Sequence, residues 1–479
     1  MEDFTAPFET PFISGILIGS RTFDAADQTN FANLSGDYNP IHLDPLQARR
    51  SISGECIVHG IHGLMFAIEC LTKFNKSMIA SFDAQFKKPI PLGVEVFCVW
   101  EEKRGRLSLI VGKATCTSIF VTLGPARSNQ EISSTIKKEQ PLVSPRNLSL
   151  EECTEHSIRE LIFRGDAEVG KKLFPFLFSR YGESFCMELA MTSEIVGMQL
   201  PGLNSLFLRI RCQFLLDSHG HHFSVTNCNT KFRIIKLLVV GPTLESDIEV
   251  LFRPTSEPIL SMHQIAKRVN KEEFTHVNAL IIGGSRGLGA TTAKAISCGG
   301  GRSTITYNVG VNEALGVQQE IVKFGGVCFP FQLSVETRFS IPNEGFNQVY
   351  YFATPRIQPD NSIGNISKLE LVYKRIYVEA FRELLIQISK WNRPISVFFP
   401  SSIYVERIEK NFLMYSKFKL EGELICQEFA GNSFLRIVCP RLPRVATDQT
   451  LGLIHEELES PLDIMLPWLQ RLAKSTEGI

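Results

Sequence analysis

From Val277 to Ala290 the chain runs from apolar residues, through a turn holding Gly283, Gly284, Gly287 and Gly289, into a helix-forming stretch. A strand that passes so abruptly into a helix opens a βα unit, and the residues beyond keep alternating the two patterns. That alternation restricts residues 277–479 to an α/β fold built on a parallel sheet. Glycines permit the tight turn and let a pyrophosphate approach the backbone where the helix begins. Gly283, Ser285, Arg286, Gly287, Leu288 and Gly289 are therefore candidate cofactor-binding residues.

At 479 residues, 44% of them hydrophobic, the chain must hold more than one core. Polar stretches at Ser128–Asn147 and Lys267–Glu273 divide it into blocks 1–130, 148–270 and 277–479. The first block shows few regular elements before Cys56. A helix is predicted over Gly60–Phe74, where Leu64, Ala67, Ile68 and Leu71 recur at helical spacing. Strands are predicted at Ser81–Phe86, Val94–Trp100, Leu107–Ala114 and Ser118–Leu123, which suits one helix wrapped by an antiparallel sheet. The second block repeats that order weakly, with a helix over Phe174–Val196 and strands at Leu206–Phe214, His222–Thr230 and Ile248–Phe252.

Charge narrows the partners. Lys plus Arg and Asp plus Glu both number 50, so no bulk attraction to nucleic acid or an anionic membrane is expected. The twelve cysteines form no C-x-x-C pair, and Cys56, Cys70, Cys98 and Cys116 sit among apolar neighbours, as reduced core thiols do. Glu2 and Asp3 follow the initial methionine, which is no signal peptide, and no apolar run suits a bilayer. Glu477-Gly478-Ile479 is no peroxisomal tripeptide. A cytoplasmic location is the expectation.

The most informative segment is Phe31 to Asp44. Pro40 excludes a regular helix there and pushes Asn39 toward an extended backbone, leaving Asp37 and His42 on a turn where they can converge. A carboxyl and an imidazole aimed at one water can exchange its protons. Asn39 can tie the turn to itself through its amide. Gly60 lies eighteen residues beyond His42 at the start of the predicted helix, where its N–H has no intrahelical acceptor. Aimed at a carbonyl oxygen, that N–H would stabilise an enolate.

This stretch resembles the MaoC-like (R)-specific enoyl-CoA hydratase family, also called hydratase 2, whose fold is the hot dog. Gly36 to Asp44 match its G-D-x-N-P-[LIV]-H-x-[DE] signature throughout, and His59-Gly60 follow at the right distance. The resemblance implies that Asp37 and His42 are the catalytic pair and that Gly60 supplies the oxyanion N–H. The second block carries no copy of the signature, so it is expected to be the non-catalytic half of a double hot dog that shapes the acyl tunnel. The aromatic-rich Leu173–Phe185 stretch could line that tunnel or be plain core. His219-Gly220-His221-His222, without a cysteine or carboxylate at ligand spacing, reads as a loop, and no metal is expected.

In the third block Ser303–Tyr307, the second strand, ends without an acid to grip a ribose hydroxyl. Arg286 stands in the turn instead, where it could meet a 2′-phosphate, which favours NADP(H) over NAD. Ser396–Ser402 reads as a buried strand ending in hydroxyls. Tyr415 follows thirteen residues later, with Lys419 one helical turn beyond it. A cation so placed should lower the tyrosine pKa and make it a proton donor, while Ser402 holds the substrate oxygen.

This block resembles the short-chain dehydrogenase/reductase family over most of residues 277–450. Ser402, Tyr415 and Lys419 match its catalytic triad, and Gly283, Gly287 and Gly289 match its cofactor turn. Departures are Ile282 for the usual Thr, Gln332 for an Asp at the adenine, Tyr351-Phe352-Ala353-Thr354 for Asn-Asn-Ala-Gly, and Glu379 for a relay Asn. The segment from Leu333 to Gln348 is also too short for the customary helix. The resemblances together imply a bifunctional enzyme acting on acyl-CoA or acyl-carrier-protein thioesters, a homodimer being compatible. The alternative is one dehydratase joined to a non-catalytic, partner-binding nucleotide fold.

Overall fold

A computed structural model describes residues 7–10, 13–51, 53–124, 136–154, 158–215, 220–253, 259–360, 366–450 and 458–476. The chain divides into two compact units, Met1–Pro254 and Thr255–Ile479. Among the described residues no helix is long and apolar enough to cross a membrane. All twelve cysteines are free thiols.

The first unit is an eleven-stranded sheet wrapped around helices. Its strands are β1 (Pro7–Thr10), β2 (Ile13–Thr22), β3 (Met78–Phe86), β4 (Glu95–Glu101), β5 (Arg106–Val111), β6 (Ala114–Gly124), then a two-residue pair, β7 (Lys137–Lys138) and β9 (Ile162–Phe163), outside the main sheet. The main sheet continues with β8 (Arg159–Glu160), β10 (Ser205–Phe214), β11 (His222–Asn229), β12 (Ile234–Val240) and β13 (Leu244–Phe252). Its order is β1-β2-β4-β5-β6-β3-β10-β13-β12-β11-β8. Two halves meet at an antiparallel seam, where Arg209 faces Gln85 and Gln213 faces Ser81. Among the described residues seven α-helices complete the unit: α1 (Ala25–Ser35), α2 (Pro40–Leu43), α3 (Pro45–Ala48), α4 (Gly60–Phe74), α5 (Ala167–Leu173), α6 (Pro175–Tyr181) and α7 (Glu183–Glu194).

Each half of the sheet has a central helix, α4 in the first and α7 in the second, and both helices are buried almost all round. Leu64, Ile68 and Leu71 of α4 are at most 2% exposed, each contributing roughly 1.5–3 kcal/mol of burial. Each helix also carries one buried carboxylate that accepts two backbone amides. Glu69 takes those of Phe176 and Leu177, and Glu188 those of Thr243 and Leu244. This is a double hot dog.

Several local expectations change. The stretch before Cys56 holds a ten-residue strand and an eleven-residue helix, α1, capped by Asp24. The long helix expected over Phe174–Val196 breaks at Gly182, φ +80°, and ends in a π-helical turn, Ile195–Gln199. Strand β12 carried no clear alternation and went unpredicted. His222 opens β11, while His219 lies outside the described residues.

The second unit holds a parallel sheet of β14 (Asn278–Ile282), β15 (Arg302–Tyr307), β16 (Val327–Gln332), β17 (Gln348–Tyr351), β18 (Ile395–Phe398) and β20 (Leu435–Val438); a small separate pair, β19 (Ser401–Ser402) and β21 (Arg441–Leu442), stands beside it. The order β16-β15-β14-β17-β18-β20 reverses direction between β14 and β17, as in a Rossmann-type sheet. One face buries α8 (Met262–Ile265), α9 (Gly287–Cys298), α10 (Val311–Lys323) and α14 (Pro461–Thr476). The other buries α11 (Ile366–Lys374), α12 (Phe381–Ser389) and α13 (Leu413–Glu428). No helix joins β16 to β17; Leu333, Val335, Ile341 and Phe346 cover the sheet from coil. Met262, Ile265 and Val269, placed by sequence in the middle block, pack into this unit together with Phe274.

Candidate active sites

Helix α1 ends at Gly36, which sits at φ +82° and closes the helix through its N–H to Ala32. A side chain there would also press on Arg164 and Glu194 at 3.2 and 3.3 Å. The chain then enters the Asp37 turn. Asp37 is 2% exposed, and each of its carboxyl oxygens has one donor: the Asn39 N–H on Oδ1 at 3.1 Å and the Ser193 hydroxyl on Oδ2 at 2.7 Å. Burial outweighs both bonds and raises its pKa to about 7.

Pro40 does not exclude helix here. It occupies the first position of the short helix α2, where a missing N–H costs nothing, and Asn39 caps it by accepting from Ile41. His42 is carried on that turn. Its Nδ1 lies 2.8 Å from the Ile57 carbonyl, which can only accept, so Nδ1 bears the proton and Nε2 presents a lone pair. Burial lowers the His42 pKa to about 4, so the ring is neutral at pH 7. Asp44, the last residue of the signature, caps α3. Asn39 does more than hold its own turn, because its Nδ2 donates to the Gly197 and Gly202 carbonyls of the second half.

His59, just before Gly60, binds the pieces together. Its ring stacks on His42 at 3.8 Å between centroids and faces the Asp37 carbonyl at 3.1 Å and Gln28 Oε1 at 2.8 Å. A carboxyl oxygen of Asp37 and ring nitrogens of His42 and His59 thus lie within 4.8 Å of one another. Both His59 nitrogens and the His42 Nδ1 already face oxygen partners, so the cluster is arranged for hydrogen bonding rather than for three-point metal ligation. The Gly60 amide opens α4 without an acceptor among the described residues. Beside it stand the rings of Phe86 and Phe207, 5.6 Å apart, as an apolar wall.

In the second unit the glycine turn is built as the spacing predicts. Gly283 adopts φ +82° and a Cβ there would lie 2.9 Å from the Phe352–Ala353 backbone, while one on Gly289 would lie 2.3 Å from the Gly283 carbonyl. Gly287 and Leu288 open α9, Ser285 precedes them half-buried, and Thr306 receives the Gly283 amide. Arg286 is in an ion pair with Asp448 of its own unit. Gln332 is exposed and donates to the Asn308 carbonyl. Glu379 points to solvent beside Lys374, and Tyr377 takes the inward place in that π-helical turn, its hydroxyl on Thr354.

Ser402 acts on the Tyr415 hydroxyl and pulls its pKa down, so these two converge. The expected net lowering of the tyrosine pKa does not occur. Burial pushes Tyr415 up, and the Lys419 ammonium reaches the Pro400 carbonyl at 2.7 Å instead of the phenol. That ammonium lies 4.2 Å from the Tyr377 ring centroid and 5.0 Å from that of Phe399, and burial lowers its pKa to about 7. A lysine buried beneath aromatic rings sheds its proton more easily than it acidifies a neighbour.

Residues 17–117 match the protein family described as MaoC like domain. Those residues form a MaoC-like domain. A 3-hydroxyacyl-[acyl-carrier-protein] dehydratase, mitochondrial, from Arabidopsis thaliana is 29% identical over 85 residues, 18% of this chain. The chain spans about half the length of that relative, 51%. Solved short-chain dehydrogenases align at low similarity. One from Salmonella enterica serovar Typhi is 18% identical, with TM-score 0.38, covering 44% of this chain and 95% of its own. One from Escherichia coli CFT073 complexed with NADPH is 18% identical, with TM-score 0.37, covering 42% and 93%.

The MaoC-like domain contributes Asp37, Asn39, His42 and Gly60 to the first site, but Ser193, Gly197, Gly202 and Phe207, which also touch it, come from beyond its last matched residue, 117. Ser193 and Gly197 sit in a half whose sequence bears no signature, so nothing near them announced a role. A lone glycine inside a helical stretch was the one visible flag.

Proposed function

We propose that the first unit hydrates trans-2-enoyl thioesters to (R)-3-hydroxyacyl thioesters and runs the reverse dehydration. The observation that carries this reading is an imidazole presenting a lone pair and a carboxyl whose pKa burial raises to about 7, meeting in one buried turn, with Gly60 directly following the His59 that stacks on His42. Environments that push two titratable groups apart assign their roles. His42 Nε2 takes a proton from water as its oxygen attacks C3. The electron pair moves through C2 onto the thioester oxygen, which Gly60 N–H stabilises, and Asp37 delivers its proton to C2. Transfer of the proton from His42 to Asp37 then resets the pair. The acyl chain would lie against Phe86 and Phe207. Both CoA and carrier-protein thioesters fit this chemistry, and a cytoplasmic location suits the free thiols.

Residues 1–130 would then be the catalytic hot dog, 148–254 its partner half, and 277–479, with 255–276 packed into the same unit, a nucleotide-binding region. The pH dependence follows from the two pKa values. Hydration needs Asp37 protonated and His42 neutral, so kcat/KM should fall below about pH 4 and above about pH 7. A profile flat across both limits, measured with crotonyl-CoA, removes the assignment.

For the second unit the reading is an NADP(H)-dependent interconversion of 3-ketoacyl and 3-hydroxyacyl thioesters, consecutive with the hydration. The glycine turn at the sheet's switch point fits a dinucleotide. Gly283, Ser285, Gly287, Leu288 and Gly289 would hold its pyrophosphate, and Arg286 its 2′-phosphate once drawn from Asp448. The bound nicotinamide would supply hydride. Tyr415 would give the proton, with Ser402 on the same substrate oxygen. Lys419 favours a second reading, a nucleotide fold without reductase activity, because its ammonium is spent on Pro400 beneath aromatic rings. NADPH at about one hundred times its Kd should stabilise an active protein by about 2.7 kcal/mol. Tyr415→Phe should then abolish acetoacetyl-CoA reduction and spare hydration. No NADPH effect on Tm or protein fluorescence leaves only the second reading.

A further inference from the structure

The second half of the double hot dog touches the reacting carboxyl directly. Thr192 and Ser193 are neighbours on α7, yet they use their hydroxyls differently. Thr192 bonds back to the Leu189 carbonyl of its own helix at 2.7 Å, as such residues commonly do. Ser193 instead donates to Asp37 Oδ2 at 2.7 Å, across 156 positions of sequence. Immediately after it the helix widens into the π-helical turn Ile195–Gln199. Such one-turn bulges cluster at functional sites because they displace the backbone locally. Here the turn sets Gly197 against Asp37 so closely that a Cβ would lie 2.3 Å from Oδ1, and its carbonyl receives Asn39 Nδ2 at 2.8 Å.

We propose that Ser193 is a positioning residue for the hydration: its hydroxyl pins Asp37 Oδ2, so that Oδ1, facing Asn39, is the oxygen that exchanges protons with substrate. The inference rests on the hydratase reading and extends it by making the signature-free half a working part of the site. Without Ser193, Oδ2 would lose its one donor and the carboxyl could rotate. Its remaining neighbours are fixed. His42 and His59 face it from the α2 turn and the start of α4, and burial lowers the pKa of both rings. Glu194 lies on α7 and is paired with Arg164, while the buried Arg253 acts on His42.

Ser193→Ala tests this in the full-length protein. Loss of a donor to the charged form raises the Asp37 pKa, so the alkaline limb of crotonyl-CoA hydration should move up by about one pH unit. Ser193→Thr, which keeps the hydroxyl, should return it. The carboxyl titration of Asp37, read by infrared difference against Asp37→Asn, should shift in the same direction whether or not turnover is seen. Absence of hydration by wild type therefore sinks the hydratase reading alone. A Ser193→Ala variant with lower Tm but an unmoved Asp37 titration overturns the proposal, since a packing role predicts that result. Should Ser193→Ala not fold, Ser193→Cys, a weaker donor of similar size, should give a smaller shift of the same sign, and no shift is equally fatal.

Discussion

Asp37→Asn is expected to lower hydration of a crotonyl thioester by about 10²–10⁴-fold, the usual contribution of a positioned acid or base. Asparagine keeps the size of the side chain, and its oxygen can still accept the Asn39 N–H, so the loss is of proton transfer rather than of shape. The same substitution should stabilise the protein in alkali. Asp37 has a folded pKa near 7 against an ordinary value of 3.8, so the folded state holds this proton more tightly than the unfolded one. Stability from this group is complete below about pH 4 and is lost as pH rises through 7, by roughly 4 kcal/mol at most. Asparagine carries no such dependence. Melting curves at pH 5.5 and 8.5 should therefore show the variant gaining on wild type at the higher pH. A variant as active as wild type takes Asp37 out of the mechanism, and one that loses both activity and alkaline stability points to a structural role instead.

The fold was legible where one physical signal dominated. Helix α4 was predicted to the residue, because its apolar face is continuous and Gly60 and Asn75 bound it. The α/β order of the second unit followed from the glycine turn and from the alternation of strand and helix patterns after it. Misreadings arose where two signals competed. Pro40 reads as a breaker in isolation, but a proline at a helix's first position obeys the opposite rule, and only the Asn39 cap decides between them. Tyr415 and Lys419 have the right spacing for mutual influence, yet spacing carries no information about which carbonyl the ammonium reaches. The partners of Asp37 from α7 were out of reach for a related reason, since a contact across 156 residues leaves no local pattern.

Gly197→Ala should cost both hydration and stability, against the direction that helix propensity gives. Helix propensity alone predicts a gain from replacing a helical glycine with alanine, by roughly 0.5–1 kcal/mol. Contact geometry predicts the reverse at this position, because the new Cβ would lie 2.3 and 2.5 Å from the two Asp37 carboxyl oxygens. Something must shift. Moving the π-helical turn breaks the Gly197 carbonyl bond to Asn39, and moving Asp37 breaks its bond to Ser193. Overpacking of this kind costs about 1–3 kcal/mol, and here the strain falls on the carboxyl proposed as the proton donor. Hydration should drop as far as in Asp37→Asn, accompanied by a lower Tm. Gly316→Ala provides the comparison within the same chain, since a Cβ in the middle of α10 meets no atom within 4 Å and should stabilise modestly. If both alanines stabilise and hydration survives, propensity outweighs contact at Gly197, and the second half does not press on the catalytic turn. If they diverge in sign, close approach to Asp37 is what excludes a side chain there, and the half without a signature is held to its sequence by the chemistry of the other.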